Sequence, residues 1–394
     1  MNGKYLQQHV PIRRQTVPVG HSVRFGYLET ATAMLALLLG EASLLPAMEQ
    51  TWEHMVQRRM YVTGGIGAVP ALEGFGNDYE LDPELAYAET CAALSCLFWN
   101  WQLSLITARA RYSDLFEWQL YNAAAVGMGL SGKDYLYNNP LVCRSGVTRR
   151  AWYSVPCCPS NLSRTWADLG KYICSADADN LWIHQYIGSR IRVEMGEEVN
   201  IHVESDLPWI GKTSIHIKPA RPREFTLHLR IPSWVAAEPA SPMIKINNEP
   251  LASTGLAAAR PSQPAQPTAS GYDPEQSYFL PIRRVWSAGD MIELTYDMPI
   301  CQRHAHAKVK GHQGKVALTR GPLVYCLEST DNPGVDIFSA RLDPASLQTE
   351  HAPHLLGGIS MLKGATQDGQ PLTFIPYNLW ANRGESQMTV WVNT

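Results

Sequence analysis

No apolar stretch in this chain is long enough to cross a bilayer. The longest, around Ala33 to Leu39, falls well short of the ~20 residues that a spanning helix needs. Met1-Asn2-Gly3-Lys4 is followed by no apolar core of the kind a secretory signal requires, so a cytoplasmic protein is expected. Charge of neither sign dominates: the formal net charge is -3 with 18% charged residues. That balance argues against nucleic acid or an anionic membrane as partner, and no acidic run suggests a tail. Eight cysteines fall in no small-scaffold spacing, and a chain of 394 residues has no need of covalent staples. Reduced thiols are therefore expected. No internal repeat is visible.

What is present is the composition of a soluble globular protein, 45% hydrophobic, and a length that predicts two or three domains. Twelve Trp and seventeen Tyr would suit stacking on sugar rings, although large aromatics also fill cores and sheet interfaces.

Residues 1–174 read as helical. Val23 to Leu39, Leu45 to Met60, Leu85 to Ile106, Tyr112 to Met128 and Asn161 to Cys174 carry apolar residues at three-and-four spacing, with Ser160 as the expected N-cap of the last. After Cys174 the texture turns to alternation. Leu181–Ile187, Val199–Val203, Ser214–Lys218, Phe225–Ile231, Met291–Tyr296, Gly314–Leu318 and Met388–Val392 read as strands of β-sandwiches rather than βαβ units. The expected division is helical 1–174, a first sandwich 175–302 and a second 303–394. An Ala-, Pro- and Ser-rich flexible surface loop is expected near 252–275, inside the first sandwich.

Two short clusters carry chemistry. Glu89-Thr-Cys91 and the vicinal pair Cys157-Cys158 together offer three thiols and a carboxylate, a complete tetrahedral zinc set. A zinc-bound cysteine is held as thiolate, the nucleophilic form. Cys157-Cys158 precede Pro159-Ser160-Asn161 at a helix start, whose partial positive charge favours the same ionisation. Residues two apart on a regular helix point in different directions, so a shared metal requires the helix to begin near Thr90. Asp82-Pro83-Glu84 signals an earlier beginning, and the two readings conflict. The plainer alternative leaves Glu89 as a first-turn acid and Cys91 as a buried small residue. Tyr61-Val-Thr-Gly-Gly-Ile-Gly67 is not a phosphate loop, lacking a preceding strand and a following lysine; its glycines should let backbone pass close to a pocket. Cys96, Cys143, Cys174, Cys301 and Cys326 read as core thiols, and His304-Ala-His306 as solvated surface.

Together with these, His9-Val-Pro-Ile-Arg13, Val19-Gly-His-Ser-Val-Arg24, Tyr61-Val-Thr-Gly-Gly65 with Glu73, and Ala86-Tyr-Ala-Glu-Thr-Cys91 form an ordered set. Glu117-x-x-Leu-Tyr-Asn122, Tyr137-x-Asn139-Pro140, Cys157-Cys-Pro-Ser-Asn161, Leu229-Arg-Ile-Pro-Ser-Trp234 and Ile375-Pro-Tyr-Asn-Leu-Trp-Ala-Asn382 continue it. In these stretches the chain resembles the bacterial β-L-arabinofuranosidase family, glycoside hydrolase family 127, nearly end to end. The resemblance implies an (α/α)6 six-hairpin barrel followed by β-sandwich domains, and retaining hydrolysis of terminal β-L-arabinofuranosides in glycans or oligosaccharides. It implies Cys157 as nucleophile and Glu73 as acid/base. Zn²⁺ would be held by Glu89, Cys91, Cys157 and Cys158. His21, Glu117 and Tyr137 fall where the family places sugar-contacting residues.

The chain departs from that pattern in front. It supplies about five helices before its strands begin, and in the family a long helical segment precedes the His9-Val-Pro motif. A partial barrel lacking its N-terminal part is expected, with inner helix faces left uncovered. Self-association, or a second chain bringing the missing helices, would cover them. A non-catalytic carbohydrate-binding or remnant protein with a structural zinc site is the alternative reading.

Overall fold

Close helix contacts in the first half are made by small residues and sealed by aromatics. The helices are α1 (Ser22–Leu39), α2 (Leu45–Arg58), α3 (Thr90–Thr107), α4 (Ala110–Gln119) and α5 (Cys157–Ala167) in a computed structural model that describes residues 3–235, 242–251 and 266–394. α1 and α3 approach closely at Gly26, where a Cβ would stand 2.0 Å from the Ser95 hydroxyl. Phe25 meets Trp99 and Phe75 edge-on at 5.5 and 5.1 Å. Some of the polar atoms buried by this packing are paired with one another. Trp52 donates to Asn100 (2.7 Å), Asn100 to Gln119 (3.0 Å), and Gln119 to the carbonyl of Gly64 (2.9 Å), which ties α2, α3 and α4 to the glycine loop.

α1 is apolar nearly all round, and its last two turns expose Met34, Leu35, Leu37, Leu38 and Leu39, the last two at 75% and 73%. Among the described residues no helix is long and apolar enough to cross a membrane.

Helix boundaries depart from the periodicity in instructive places. α3 begins at Thr90, with Glu89 extended at its N-cap. The Asp82 signal is real but spent on a turn: its carboxylate accepts from the amides of Glu84 and Leu85 and no helix follows. α5 starts at Cys157, earlier than expected, and ends at Ala167, so Ser160 is not its N-cap. The Ser160 hydroxyl donates back to the carbonyl of Pro156 at 2.8 Å. The expected helix to Met128 stops at Gln119 and becomes a π turn, Leu120–Ala124. This places Asn122 against the C-terminal sheet, donating to Pro322 O and accepting from Val324 N at 2.8 Å each.

The strands form a four-stranded, a six-stranded and a nine-stranded sheet. The first two face one another across a shared core, with Leu181, Phe225 and Leu227 from one side and Val199, Ile201 and Ile292 from the other. Period-two alternation fills that core and leaves the outer face polar. In the large sheet the strand Leu323–Glu328 is buried on both faces. Leu323, Tyr325 and Leu327 enter its own core, while Val324 and Cys326 pack on the helical part. Met388–Val392 is interrupted, dividing into Ser386–Thr389 and Trp391–Asn393.

Residues 1–174 are not wholly helical. Val142–Val147 is a strand, paired antiparallel with Ser386–Thr389 in the nine-stranded sheet. The loop expected near 252–275 falls on undescribed residues up to 265, and its remainder is anything but loose. Thr268, Ala269, Ser270 and Tyr272 are buried, and the Tyr272 ring stacks on Trp118 at 4.2 Å. Aromatic burial overrides the composition there.

Candidate functional site

α5 presents its first two residues, Cys157 and Cys158, to the start of α3, where Glu89 and Cys91 stand. The four donor atoms lie within 4.8 Å of one another. Cys157 and Cys158 Sγ are 3.9 Å apart, and they stand 3.7 and 3.6 Å from Glu89 Oε1. With Zn–S near 2.3 Å and Zn–O near 2.0 Å, a tetrahedron has S–S and S–O edges of about 3.8 and 3.5 Å. The spacing fits such an ion. The extended N-cap conformation of Glu89 is what lets side chains two apart converge.

Charge argues the same way. Cys157 is held well below the usual thiol range, chiefly by hydrogen bonds from the thiols of Cys158 and Cys91, and also by Tyr137. The others keep their protons. Cys91 is pushed up to about 12, first by its hydrogen bond with Cys157. Burial, then the Cys157 thiolate and Glu73, push Glu89 up to about 8. A metal ion binding here would displace the protons that the other three groups keep, and three thiols with one carboxylate are a donor set that could bind one.

Beside the sulfurs opens a cavity of ≈ 540 Å³, within the range of small-molecule sites. Tyr137, half-buried in its wall, has its hydroxyl 3.0 Å from Cys157 Sγ. Across from it stands Glu73, in a left-handed conformation (φ 48°, ψ 39°) that costs about 1–3 kcal/mol in a non-glycine residue. The Ser22 amide and hydroxyl clamp its carbonyl at 3.0 and 2.8 Å. Gly74 lies so close to Gly20 that a Cβ would come 2.2 Å from the Gly20 carbonyl oxygen. The turn aims the carboxylate at two partners, with His21 Nε2 at 3.1 Å and the Tyr87 hydroxyl, which donates at 2.9 Å. His21, Glu73 and Glu89 each place a donor atom within 4.8 Å of the others, so Glu89 joins the carboxylate pair to the sulfurs.

Glu117 is not brought to this cavity. It is 2% exposed, and its oxygens take Arg230 Nη2 at 2.6 Å and Trp234 Nε1 at 2.7 Å. Asp114 completes the arrangement on Arg230 Nη1 at 3.0 Å. Glu117 therefore fastens α4 to the first sandwich and does not line the cavity. The glycine loop is likewise support rather than lining. Gly64 abuts Gln119, and Gly67 abuts the Ser22 hydroxyl behind His21. All eight cysteines are free; Cys174 and Cys301 are only partly buried. His306 stacks on Tyr79 at 4.7 Å and joins no metal group among the described residues.

Four site residues escaped the sequence reading: Tyr27, Tyr87, Asn161 and Arg164. Asn161 lies one helical turn beyond Cys157 and donates to Cys91 Sγ at 3.4 Å, while accepting from Arg164 at 2.6 Å. Arg164 in turn donates to Tyr27 at 2.8 Å. The i, i+4, i+7 spacing along α5 from Cys157 was the available signal.

Comparison with known proteins agrees from end to end. Models of the GH127 β-L-arabinofuranosidase catalytic domain, the GH127 middle domain and the glycoside hydrolase family 127 C-terminal domain match residues 2–171, 180–298 and 300–393. A non-reducing end β-L-arabinofuranosidase of Bifidobacterium longum subsp. longum is 30% identical over 98% of this chain and 61% of its own length. The crystal structure of a GH127 β-L-arabinofuranosidase from Geobacillus stearothermophilus T6 superposes with a TM-score of 0.89 at 35% identity, covering 99% of this chain and 63% of that one. A second GH127 β-arabinofuranosidase gives 0.87 at 31% identity, covering 99% and 62%. The chain thus spans about three-fifths of the length of these relatives. Matched by all three domain models in order along its length, it belongs to glycoside hydrolase family 127.

Proposed function

We propose that this chain carries the reaction centre of a retaining glycosidase for terminal β-L-arabinofuranosyl residues of glycans, with Zn²⁺ held by Glu89, Cys91, Cys157 and Cys158. The observation that carries the reading is the Cys157 sulfur, 3.0 Å from the Tyr137 hydroxyl in the wall of a cavity that Glu73 also lines. Zn²⁺ at that set would keep the sulfur ionised and fix its direction. Cys157 Sγ attacks the anomeric carbon, forming a C–S bond as the glycosidic C–O bond breaks. Glu73 gives its proton to the leaving oxygen. In the second half Glu73 takes a proton from water, whose oxygen displaces the thiolate. The Cys157 thiolate takes the place of the carboxylate nucleophile most retaining enzymes use. His21 and Tyr137 are placed to orient sugar hydroxyls, and Tyr87 fixes the second oxygen of Glu73.

We propose further that the helical segment is part of an (α/α)6 barrel. The uncovered flank of α1 from Met34 to Leu39 suits packing against further barrel helices. Turnover of an aryl β-L-arabinofuranoside by the purified, zinc-loaded chain, alone and mixed with a helix-supplying partner, tests both proposals. Sugar binding with no turnover in either case would overturn the catalytic reading.

A further inference from the structure

We propose that a second divalent cation of the zinc type binds next to the thiolate cluster, between His21, Glu73 and Glu89, and that it shuts the sugar site when it does. The first observation is geometric. His21 Nε2, one Glu73 oxygen and one Glu89 oxygen lie within 4.8 Å of one another, with His21 and Glu73 already 3.1 Å apart. The second concerns Glu89 itself, which is 2% exposed. Its Oε1 faces the sulfurs of Cys157 and Cys158, whereas its Oε2 is buried with no hydrogen-bond partner. A buried carboxylate oxygen without a donor is costly, and a cation held through it by the His21, Glu73 and Glu89 group would supply the missing partner.

The donor set defines what binds. One imidazole nitrogen and two carboxylate oxygens form a three-ligand open site, with a fourth position for water or a sugar hydroxyl. It is harder than the sulfur-rich set beside it, so a thiophilic ion fills the sulfur site first and this one second. Glu89 would bridge the two ions. Access is from the cavity, where the Glu73 side chain is 41% exposed. The cation takes the lone pair of His21 Nε2 as the ring's single proton moves, by exchange with solvent, from Nε2 to Nδ1. The imidazole then carries its proton on Nδ1 and gives up only a long 3.4 Å contact from the Arg24 amide. Glu73 bound in this way can neither donate nor take a proton, so excess metal competes with substrate.

The inference rests on the thiol cluster being the first metal site, and its test separates the two. Metal-free chain is titrated with Co²⁺ near neutral pH. One equivalent should bring the intense near-ultraviolet band of cobalt–thiolate charge transfer. A second, weaker equivalent should add no further intensity to that band. His21→Ala and Glu73→Gln should each weaken the second step by about 10–100-fold or more and keep the first. Saturation at one equivalent, or a second equivalent indifferent to both substitutions, overturns the second site alone. Absence of the thiolate band overturns the first site and the bridged one with it.

Discussion

The hydroxyl of Tyr137 lies 3.0 Å from the sulfur of Cys157, and this hydrogen bond helps to hold that thiol below its usual range. A hydrogen bond to a charged group contributes about 1.5–3 kcal/mol. Tyr137→Phe should therefore lower kcat/KM on an aryl arabinofuranoside by about 10–100-fold while leaving the melting temperature within a degree or two. An unchanged rate would remove Tyr137 from the sulfur's environment.

Glu73→Gln tests the proton transfers. Positioned acid–base groups contribute about 10²–10⁴-fold. The variant should lose that much on an alkyl glycoside, whose leaving oxygen needs a proton, and much less in the first step on a nitrophenyl glycoside. Burst kinetics with the activated substrate would expose the slowed second half. Equal losses on both substrates would show that Glu73 is not the acid.

Glu117 and Arg230 provide the counter-test. Removing one partner of a buried ion pair costs about 3–5 kcal/mol. Arg230→Leu should therefore be strongly destabilised in urea unfolding. Glu117→Gln, assayed at a temperature where it remains folded, should keep the parent KM. A raised KM with undiminished stability would return Glu117 to the sugar site.

Glu29, which does not line the cavity, sets a pH dependence of its own. Burial alone pushes its carboxyl up to about 8, and Oε2 has no partner. The native state thus holds a proton that the unfolded chain releases near the ordinary carboxyl value of 4.5. Between those values the native state binds more protons, so the stabilising contribution is full below the lower one and is lost as pH rises through the higher. Glu29→Gln should flatten that slope, gaining more in thermal stability at pH near 8 than at pH near 5. Parallel melting curves at the two pH values would refute it.

The parts of this site legible in the sequence are those whose chemistry is local to a few residues. Glu89-Thr-Cys91 and Cys157-Cys158 announced a donor set because thiols and a carboxylate are rare in such company, and the demand that they converge correctly put the start of α3 at Thr90. The ion pair of Glu117 was not legible because its partner, Arg230, is 113 residues away, and no local pattern distinguishes a carboxylate aimed at a sugar from one aimed at a guanidinium. Tyr272 was lost in an Ala- and Pro-rich stretch whose composition reads as loose, although its one aromatic ring decides the packing. Val142–Val147 was invisible as a strand because its partner lies at the other end of the chain.

That last pairing orders events during synthesis. A ribosome releases Val142–Val147 long before Ser386–Thr389, so the edge of this strand has no native neighbour until that later strand emerges. The carbonyls of Asn139 and Pro140, just downstream of Tyr137, likewise wait for the hydroxyl of Tyr377. The cavity beside Cys157 can acquire its final shape only after these later strands emerge, and a nascent chain halted before them would leave the tyrosine beside the sulfur without its backing.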